Sequence, residues 1–361
     1  MSFGTISALM SIPIQNKNLR NVSTFPTIRD VSFTLTQITQ AISANGIHSS
    51  FIDSANNIMY CVGFNSFAIK SENDGSNWNA TTTPPTTRIQ SVASDASAII
   101  LGSNGSSFNL AKSFDGGITW TKSYLGRISY GDVPGASFSI GPDNMLMSQN
   151  KFFTSSNGHG FAFATTYDEA PRIAIADTTS TTLQVPNVPY NSFNSCGNND
   201  LSRIYVGSNV GKIHTVTINW GIDIPSTVIS CDAGQLLNPP STLSVRGLAC
   251  SSDGSIVYAC LQQGKIYKSI DSGLTFTILT NSPEVPNNDT KIWRSLSCSS
   301  DGSVIIVCRY NEKNYISGDG GISWVSNSLS KTWIHVSLNN DGSKFMSCTQ
   351  SEAYFGNISY L

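Results

Sequence analysis

The chain has 361 residues, a formal net charge of −2 and only 12% charged side chains, about half the usual share for a soluble domain. Ser, Thr and Asn fill the polar positions, which suits strands and tight turns rather than long solvated helices. There is no dense Lys/Arg run and no apolar stretch near the ~18 residues that span a bilayer, so neither nucleic-acid binding nor membrane insertion is expected.

The N-terminal stretch MSFGTISALMSIPIQNKNLR lacks a charged region followed by an apolar core. No secretory signal is read there, and a reducing compartment or a virion is the favoured location. Residues 1–30 are expected to form an arm packed on the rim of the fold or on a neighbour. Residues 31–37 are expected to form a strand, because Val31-Ser32-Phe33-Thr34-Leu35 resembles the later strand at Leu274-Thr275-Phe276-Thr277-Ile278.

A motif then recurs along the chain. It first appears as Ser71-Glu72-Asn73-Asp74-Gly75-Ser76-Asn77-Trp78, and 42 residues on as Ser113-Phe114-Asp115-Gly116-Gly117-Ile118-Thr119-Trp120. A worn copy lies at Ser155–His159. A very degenerate hairpin is expected near His214–Trp220, followed by an inserted loop over 221–243. The motif returns at Ser269, Asp271, Gly273 and Phe276, and again at Ser317, Asp319, Gly321 and Trp324. Before these boxes stand hairpins with Asp-Gly turns between apolar runs: LACSSDGSIVYAC (248–260), LSCSSDGSVIIVC (296–308) and VSLNNDGSKFMSC (336–348). Asp-Gly between such runs is a strong hairpin signal, because Gly accepts the positive φ of the turn. The unit therefore reads strand, hairpin, strand, loop, strand, box hairpin, strand.

These boxes and their period resemble the Asp-box (BNR-repeat) β-propellers over about residues 31–361. That superfamily includes sialidases, sortilin-type receptors, xyloglucan-cleaving hydrolases and photosystem II assembly factors. The resemblance implies an all-β, seven-bladed β-propeller of four-stranded antiparallel blades, closed into a ring by the strand at 31–37. It also implies a structural role for the box residues Ser71, Asn73, Trp78, Ser113, Asp115, Trp120, Ser269, Asp271, Phe276, Ser317, Asp319 and Trp324, on the face opposite the usual active site.

No catalytic set stands out. The string Phe25-Pro26-Thr27-Ile28-Arg29-Asp30 and the pair Arg172-Ile173 after Pro171 both fail to match the Phe/Tyr-Arg-Ile-Pro motif of sialidases. A generic glycosidase needs two facing carboxylates. The loop candidates are Asp132, Asp168, Glu169, Asp177, Asp223, Asp232 and Glu284, which read as solvated. The four histidines are scattered, and the eight cysteines lack C-x-x-C spacing, so no metal site and no cofactor are expected. Cys61, Cys260, Cys308 and Cys348 share one place in the repeat and read as small buried hydrophobes.

Seven residues before three Asp residues of the hairpins stand Arg88, Arg246 and Arg294. At the start of channel-lining strands, their guanidiniums would converge on a carboxylate, phosphate or acidic peptide. Local pairing of duplicated arginines is the competing reading. Trp293 and Trp333 share the preceding place, as packing between blades or as an exposed platform. The function expected is a non-catalytic scaffold that binds a protein partner or belongs to a larger assembly, such as a virion or surface structure. A glycoside hydrolase or lyase using the top loops, and a glycan-binding lectin, are the alternatives.

Overall fold

The computed structural model describes residues 31–38, 46–82, 84, 89–94, 98–103, 109–124, 128–129, 137–138, 142–148, 151–156, 160–164, 172–175, 183–184, 192–221, 228–238, 241–284 and 292–360. Among them the regular elements are all strands. Three sheets repeat one plan, four strands in sequence order, over 47–80, 89–124 and 293–326; the strands of 245–278 follow the same plan but join those of 192–238 in one nine-stranded sheet, through parallel pairing of Leu237–Asn238 with Phe276–Thr277. In the second of these Ile89–Ser94, Ile99–Ser103, Asn109–Ser113 and Thr121–Tyr124 pair antiparallel in turn. The 142–184 sheet adds a parallel fifth strand, Leu183–Gln184. Beside Lys212–Asn219 the next position is divided between two strands, Val228–Cys231 and then Gln235–Asn238, the second of which also pairs with Phe276–Thr277. The stretch 221–243 therefore carries strands where an inserted loop was expected.

The last sheet is completed from the other end of the chain. Val31–Phe33 pairs antiparallel with Ile358–Tyr360, and Thr36–Gln37 with Tyr354–Phe355. Phe33 meets Phe345 edge to face at 5.7 Å. The expected arm over residues 1–30 lies outside the described residues.

The leading strands neighbour one another in order: Ile47–Asp53, Ile89–Ser94, Pro142–Ser148, Ser192–Gly197, Val245–Cys250, Trp293–Cys298 and His335–Leu338, which returns to Ile47–Asp53. The core is divided among the gaps between consecutive sheets. Tyr258, Cys260 and Ile266 pack with Trp293, Ile305 and Val307 in one gap; Val304, Ile306 and Cys308 pack with Trp333, Val336 and Phe345 in the next. Cys61, Ile69 and Trp78 then pack with Met346 and Cys348, which joins the last sheet to the first. Both faces of each second strand are thus covered, so Val257–Leu261 and Ile305–Arg309 are buried throughout. This explains why these strands read as unbroken apolar runs rather than alternating ones. Each Val, Leu or Ile so buried contributes about 1.5–3 kcal/mol.

Polar lacing joins the same neighbours. Asn199 N–H donates to Ser252 O at 2.8 Å, Ser252 N–H to Ser300 O at 2.7 Å, and Ser300 N–H to Asn340 O at 2.8 Å. Asn340 N–H then reaches Ser54 Oγ at 2.8 Å, and Ser94 Oγ donates to Asp53 Oδ2 at 2.8 Å. The turns of successive leading hairpins are therefore stitched together on one face.

Candidate functional site at the channel mouth

The leading strands enclose a cavity of 320 Å³. Its wall is small and polar, with Ser49, Ser50, Ser195, Ser295, Ser297 and Ser337 among its residues. These hydroxyls also bind the strands to one another: Leu338 N–H donates to Ser297 Oγ at 3.1 Å, and Val336 N–H to Ser295 Oγ at 3.3 Å. His335 accepts from Ser50 N–H at Nδ1, 3.4 Å away. Burial pushes its pKa down to about 4, so the imidazole is neutral near pH 7. No carboxylate lines the cavity among the described residues.

At one end of the leading strand the pairing slips by a residue, and it does so at matching places in six of the leading hairpins. The extra residue of such a bulge is turned out of the ladder and re-aimed. Arg246 occupies this place between Val245 and Gly247, and Arg294 between Trp293 and Ser295. Arg246 Nη2 donates to Gln262 Oε1 at 3.2 Å, and Asn194 Nδ2 donates to Arg246 O at 2.6 Å. The Arg294 guanidinium stands 5.0 Å from the centre of the Tyr310 ring, a cation–π contact. Its Nε is buried without a hydrogen-bond partner among the described residues. Burial lowers the pKa of Arg246, and the positive charge of Arg294 lowers it further.

Arg88 lies outside the described residues. The turn between Ser94 and Ile99 is two residues shorter than that between Cys298 and Ile305. The bulge place in that sheet accordingly falls to Gln90. The structure therefore brings Arg246 and Arg294 to equivalent places. Trp293 and Trp333 are fully buried, which rules out an exposed platform. Trp293 Nε1 donates to Gly264 O at 2.9 Å, and Trp333 packs edge to face on Tyr354 at 5.2 Å. Of the loop carboxylates, Glu284 lies 3.9 Å from Lys265 and Asp232 is held within a turn; Asp132, Asp168, Glu169, Asp177 and Asp223 lie outside the described residues.

The repeated Ser-x-Asp/Asn-x-Gly turns share one network. Ser71, Ser113, Ser269 and Ser317 each donate to the side-chain oxygen two residues on, at 3.0, 2.8, 2.7 and 2.8 Å. The same hydroxyls accept from Gly75, Gly117, Gly273 and Gly321 N–H at 2.8–2.9 Å. Asn73, Asp115, Asp271 and Asp319 then accept N–H from Asn77, Thr119, Thr275 and Ser323. Gly273 has φ +79°, and a Cβ there would lie 2.5 Å from Tyr205 of the preceding sheet. Trp78 and Phe276 bury their rings, whereas Trp120 and Trp324 are half-buried. Lysines from preceding sheets reach across as well, in a role not anticipated from the sequence. Lys70 Nζ donates to Gly116 O at 2.9 Å, and Lys344 contacts Asp74. The recurrent Lys-Ser step at Lys70-Ser71, Lys112-Ser113 and Lys268-Ser269 was the available signal.

Several solved structures share this arrangement. YCF48 from Cyanidioschyzon merolae superposes with a TM-score of 0.62 at 11% identity, over 90% of this chain and 98% of that one. YCF48 bound to a D1 peptide matches with 0.61 at 12%, over 91% and 95%. The chain folds as a β-propeller. A GH74 xyloglucanase from Xanthomonas campestris is similar to this propeller with a TM-score of 0.60 at 14% identity, over 89% of the chain. The propeller spans about half of that enzyme, 53% of its length. A chain from the crystal structure of a mitotic checkpoint complex matches with 0.59 at 11%, over 99% and 98%. No protein-family model matches the propeller, and no curated protein matches its sequence. At such identities the likeness concerns the fold, and function must be argued from the site.

Proposed function

We propose that this chain is a non-catalytic, seven-bladed Asp-box propeller, its residues 31–361 forming one domain, that holds an acidic segment of a protein partner at the channel mouth. The seven leading strands in cyclic order, and the N-terminal strands on the last sheet, support the blade count. The four like-bonded Ser-x-Asp/Asn-x-Gly turns support the Asp-box reading. In this role the propeller serves as one component of a larger assembly.

The observation that carries the reading is the Arg246–Arg294 pair. Two cations on neighbouring strands are half-buried at equivalent bulges, near enough for one to depress the pKa of the other. A carboxylate placed between them removes that repulsion and accepts directed hydrogen bonds, which a planar guanidinium offers as a fork. The relatives lend general support, since one YCF48 structure holds a D1 peptide. The buried indoles of Trp293 and Trp333 favour this reading over a lectin that stacks sugars on them.

The test is fluorescence anisotropy with a labelled peptide ending in three aspartates and a free carboxylate. Binding is expected to weaken at least tenfold when Arg246 and Arg294 are both changed to Gln, and to weaken with added salt. Equal binding by wild type and the double variant, or no binding by either, overturns the proposal.

A further inference from the structure

We propose that His214, Cys231 and Asp232 form a binding site for a divalent cation of borderline softness, of the Zn(II) class. The site lies at the divided strand position beside Lys212–Asn219, away from the channel.

The backbone makes the arrangement. Val228–Cys231 pairs with Val216–Asn219, placing Cys231 opposite Val216. The pairing then breaks, and Gln235–Leu236 resumes it opposite Lys212–Ile213. His214 faces this break. Asp232 closes it with both backbone and side chain: its N–H donates to Thr215 O at 3.0 Å. Its Oδ1 accepts from Thr215 N–H and from Gly234 N–H, each at 2.9 Å. The carboxylate is therefore fixed in place before any ion arrives.

The donor atoms converge. His214 Nδ1 is 4.0 Å from Cys231 Sγ and 4.0 Å from Asp232 Oδ1. The Asp232 carbonyl oxygen is 3.1 Å from Nδ1 and 3.6 Å from Sγ. One donor atom from each of the three side chains lies within 4.8 Å of the others. Ligands held ~2.0–2.3 Å from one tetrahedral zinc ion stand about 3.3–3.8 Å apart, so the donors must draw in by about half an ångström to an ångström to complete the set. Gly234 fixes which ring nitrogen takes part. Its φ is +80°, and a Cβ there would come within 2.7 Å of His214 Nε2. The backbone thus walls off Nε2 and leaves Nδ1 turned toward the sulfur and the carboxylate.

One imidazole, one thiolate and one carboxylate suit Zn(II) or Co(II) better than the oxygen-seeking Mg(II) or Ca(II). His214 and Cys231 are buried, and the partly exposed Asp232 gives the ion its way in. Burial and the neighbouring Asp232 push the thiol pKa up to about 12 without a metal. Binding must therefore release one proton: the S–H bond breaks, the sulfur keeps the electron pair and donates it to the ion, and the proton leaves to water. The imidazole gives up its contact with the Asp232 carbonyl, its Nδ1 proton passes by way of water to Nε2, and Nδ1 presents its lone pair, so the net release remains the one thiol proton.

The experiment is titration of the chelator-stripped, reduced full chain with Co(II), followed by displacement with Zn(II). One equivalent of Co(II) is expected to raise a near-ultraviolet thiolate-to-cobalt band, which Zn(II) abolishes. Cys231→Ser is expected to lose the band. Asp232→Asn retains the Oδ1 acceptor for Thr215 and Gly234, and is expected to weaken Co(II) binding at least tenfold. Near-UV circular dichroism and the unfolding midpoint without metal check that Asp232→Asn is folded, and this variant decides the matter if Cys231→Ser does not fold. No band in the wild type, a band that persists in Cys231→Ser, or unchanged affinity in Asp232→Asn overturns the proposal in favour of an Nδ1–H bond to the Asp232 carbonyl alone.

Discussion

Lys268 Nζ donates to the Gly320 carbonyl at 3.0 Å across the boundary between two sheets, with its ammonium 5.2 Å from the centre of the Tyr258 ring. Tyr258 itself donates to Gly302 O at 2.7 Å. Two adjacent strands, Val257–Leu261 and Ile266–Ser269, thus hold both turns of the next sheet. A hydrogen bond from a charged group contributes about 1.5–3 kcal/mol, and Met would keep most of the aliphatic stem. Lys268→Met is expected to destabilise the fold by about 1–2 kcal/mol in urea unfolding, where wild-type stability in the variant would count against the latch.

Two glycines allow a controlled comparison. Gly273 and Gly264 both have positive φ, +79° and +85°, but an added Cβ at Gly273 meets Tyr205 at 2.5 Å and at Gly264 meets nothing within 4 Å. The left-handed backbone alone costs Ala about 1–2 kcal/mol, and overpacking adds about 1–3 kcal/mol. Gly273→Ala should therefore lose distinctly more stability than Gly264→Ala by the same denaturant assay. Equal losses would mean that the turn does not seat against the neighbouring sheet as described.

Acid should act through the turns. Hydrogen bonds from Thr119, first through its hydroxyl and then its N–H, hold the Asp115 pKa down at about 2. A carboxylate depressed in the folded state stabilises it above the unfolded pKa of about 3.8. That contribution fades as pH falls through about 2. Asn73, the natural Asn at the equivalent place, cannot titrate. Asp115→Asn should flatten the stability profile between pH 4 and 2, measured by unfolding at several pH values, and an unaltered slope would argue against this bonding.

His335 acts over a different range. Its folded pKa of about 4 lies below the ordinary 6.5, so protons bind the unfolded chain more readily between those values. Its contribution is complete above about pH 6.5 and is lost as pH falls toward 4. His335→Gln should remove that slope. Observation of the imidazole by NMR offers a direct check, and a titration midpoint near 6.5 would contradict the buried, neutral ring.

What the sequence made legible follows from what duplication preserved. The Asp-Gly hairpins and the Ser-x-Asp-x-Gly boxes are local chemistry, so Asp271 and Asp319 could be placed in turns directly. The strand at Val31–Phe33 could be matched because Val31–Leu35 repeats the apolar spacing of Leu274–Ile278. The four cysteines at one repeat position, Cys61, Cys260, Cys308 and Cys348, are indeed buried thiols. That the bulge place of the 89–124 sheet falls to Gln90 was hidden, because the turn between Ser94 and Ile99 is two residues shorter than its counterpart between Cys298 and Ile305, which local spacing cannot reveal. The bulges that aim Arg246 and Arg294 carry no residue signature of their own. His214 and Cys231 stand 17 residues apart in the most degenerate copy, and only the divided strand position brings them together.

The pairing of Val31–Phe33 with Ile358–Tyr360 also orders events during biosynthesis. At roughly 5–20 residues per second, the first of these strands leaves the ribosome on the order of tens of seconds before its partner exists. Throughout that interval it must wait as an unsatisfied ribbon, while later sheets stack without their final neighbour. Until then the chain is an open arc with two sticky ends, and its need for chaperone shielding should be greatest just before Ile358–Tyr360 emerge.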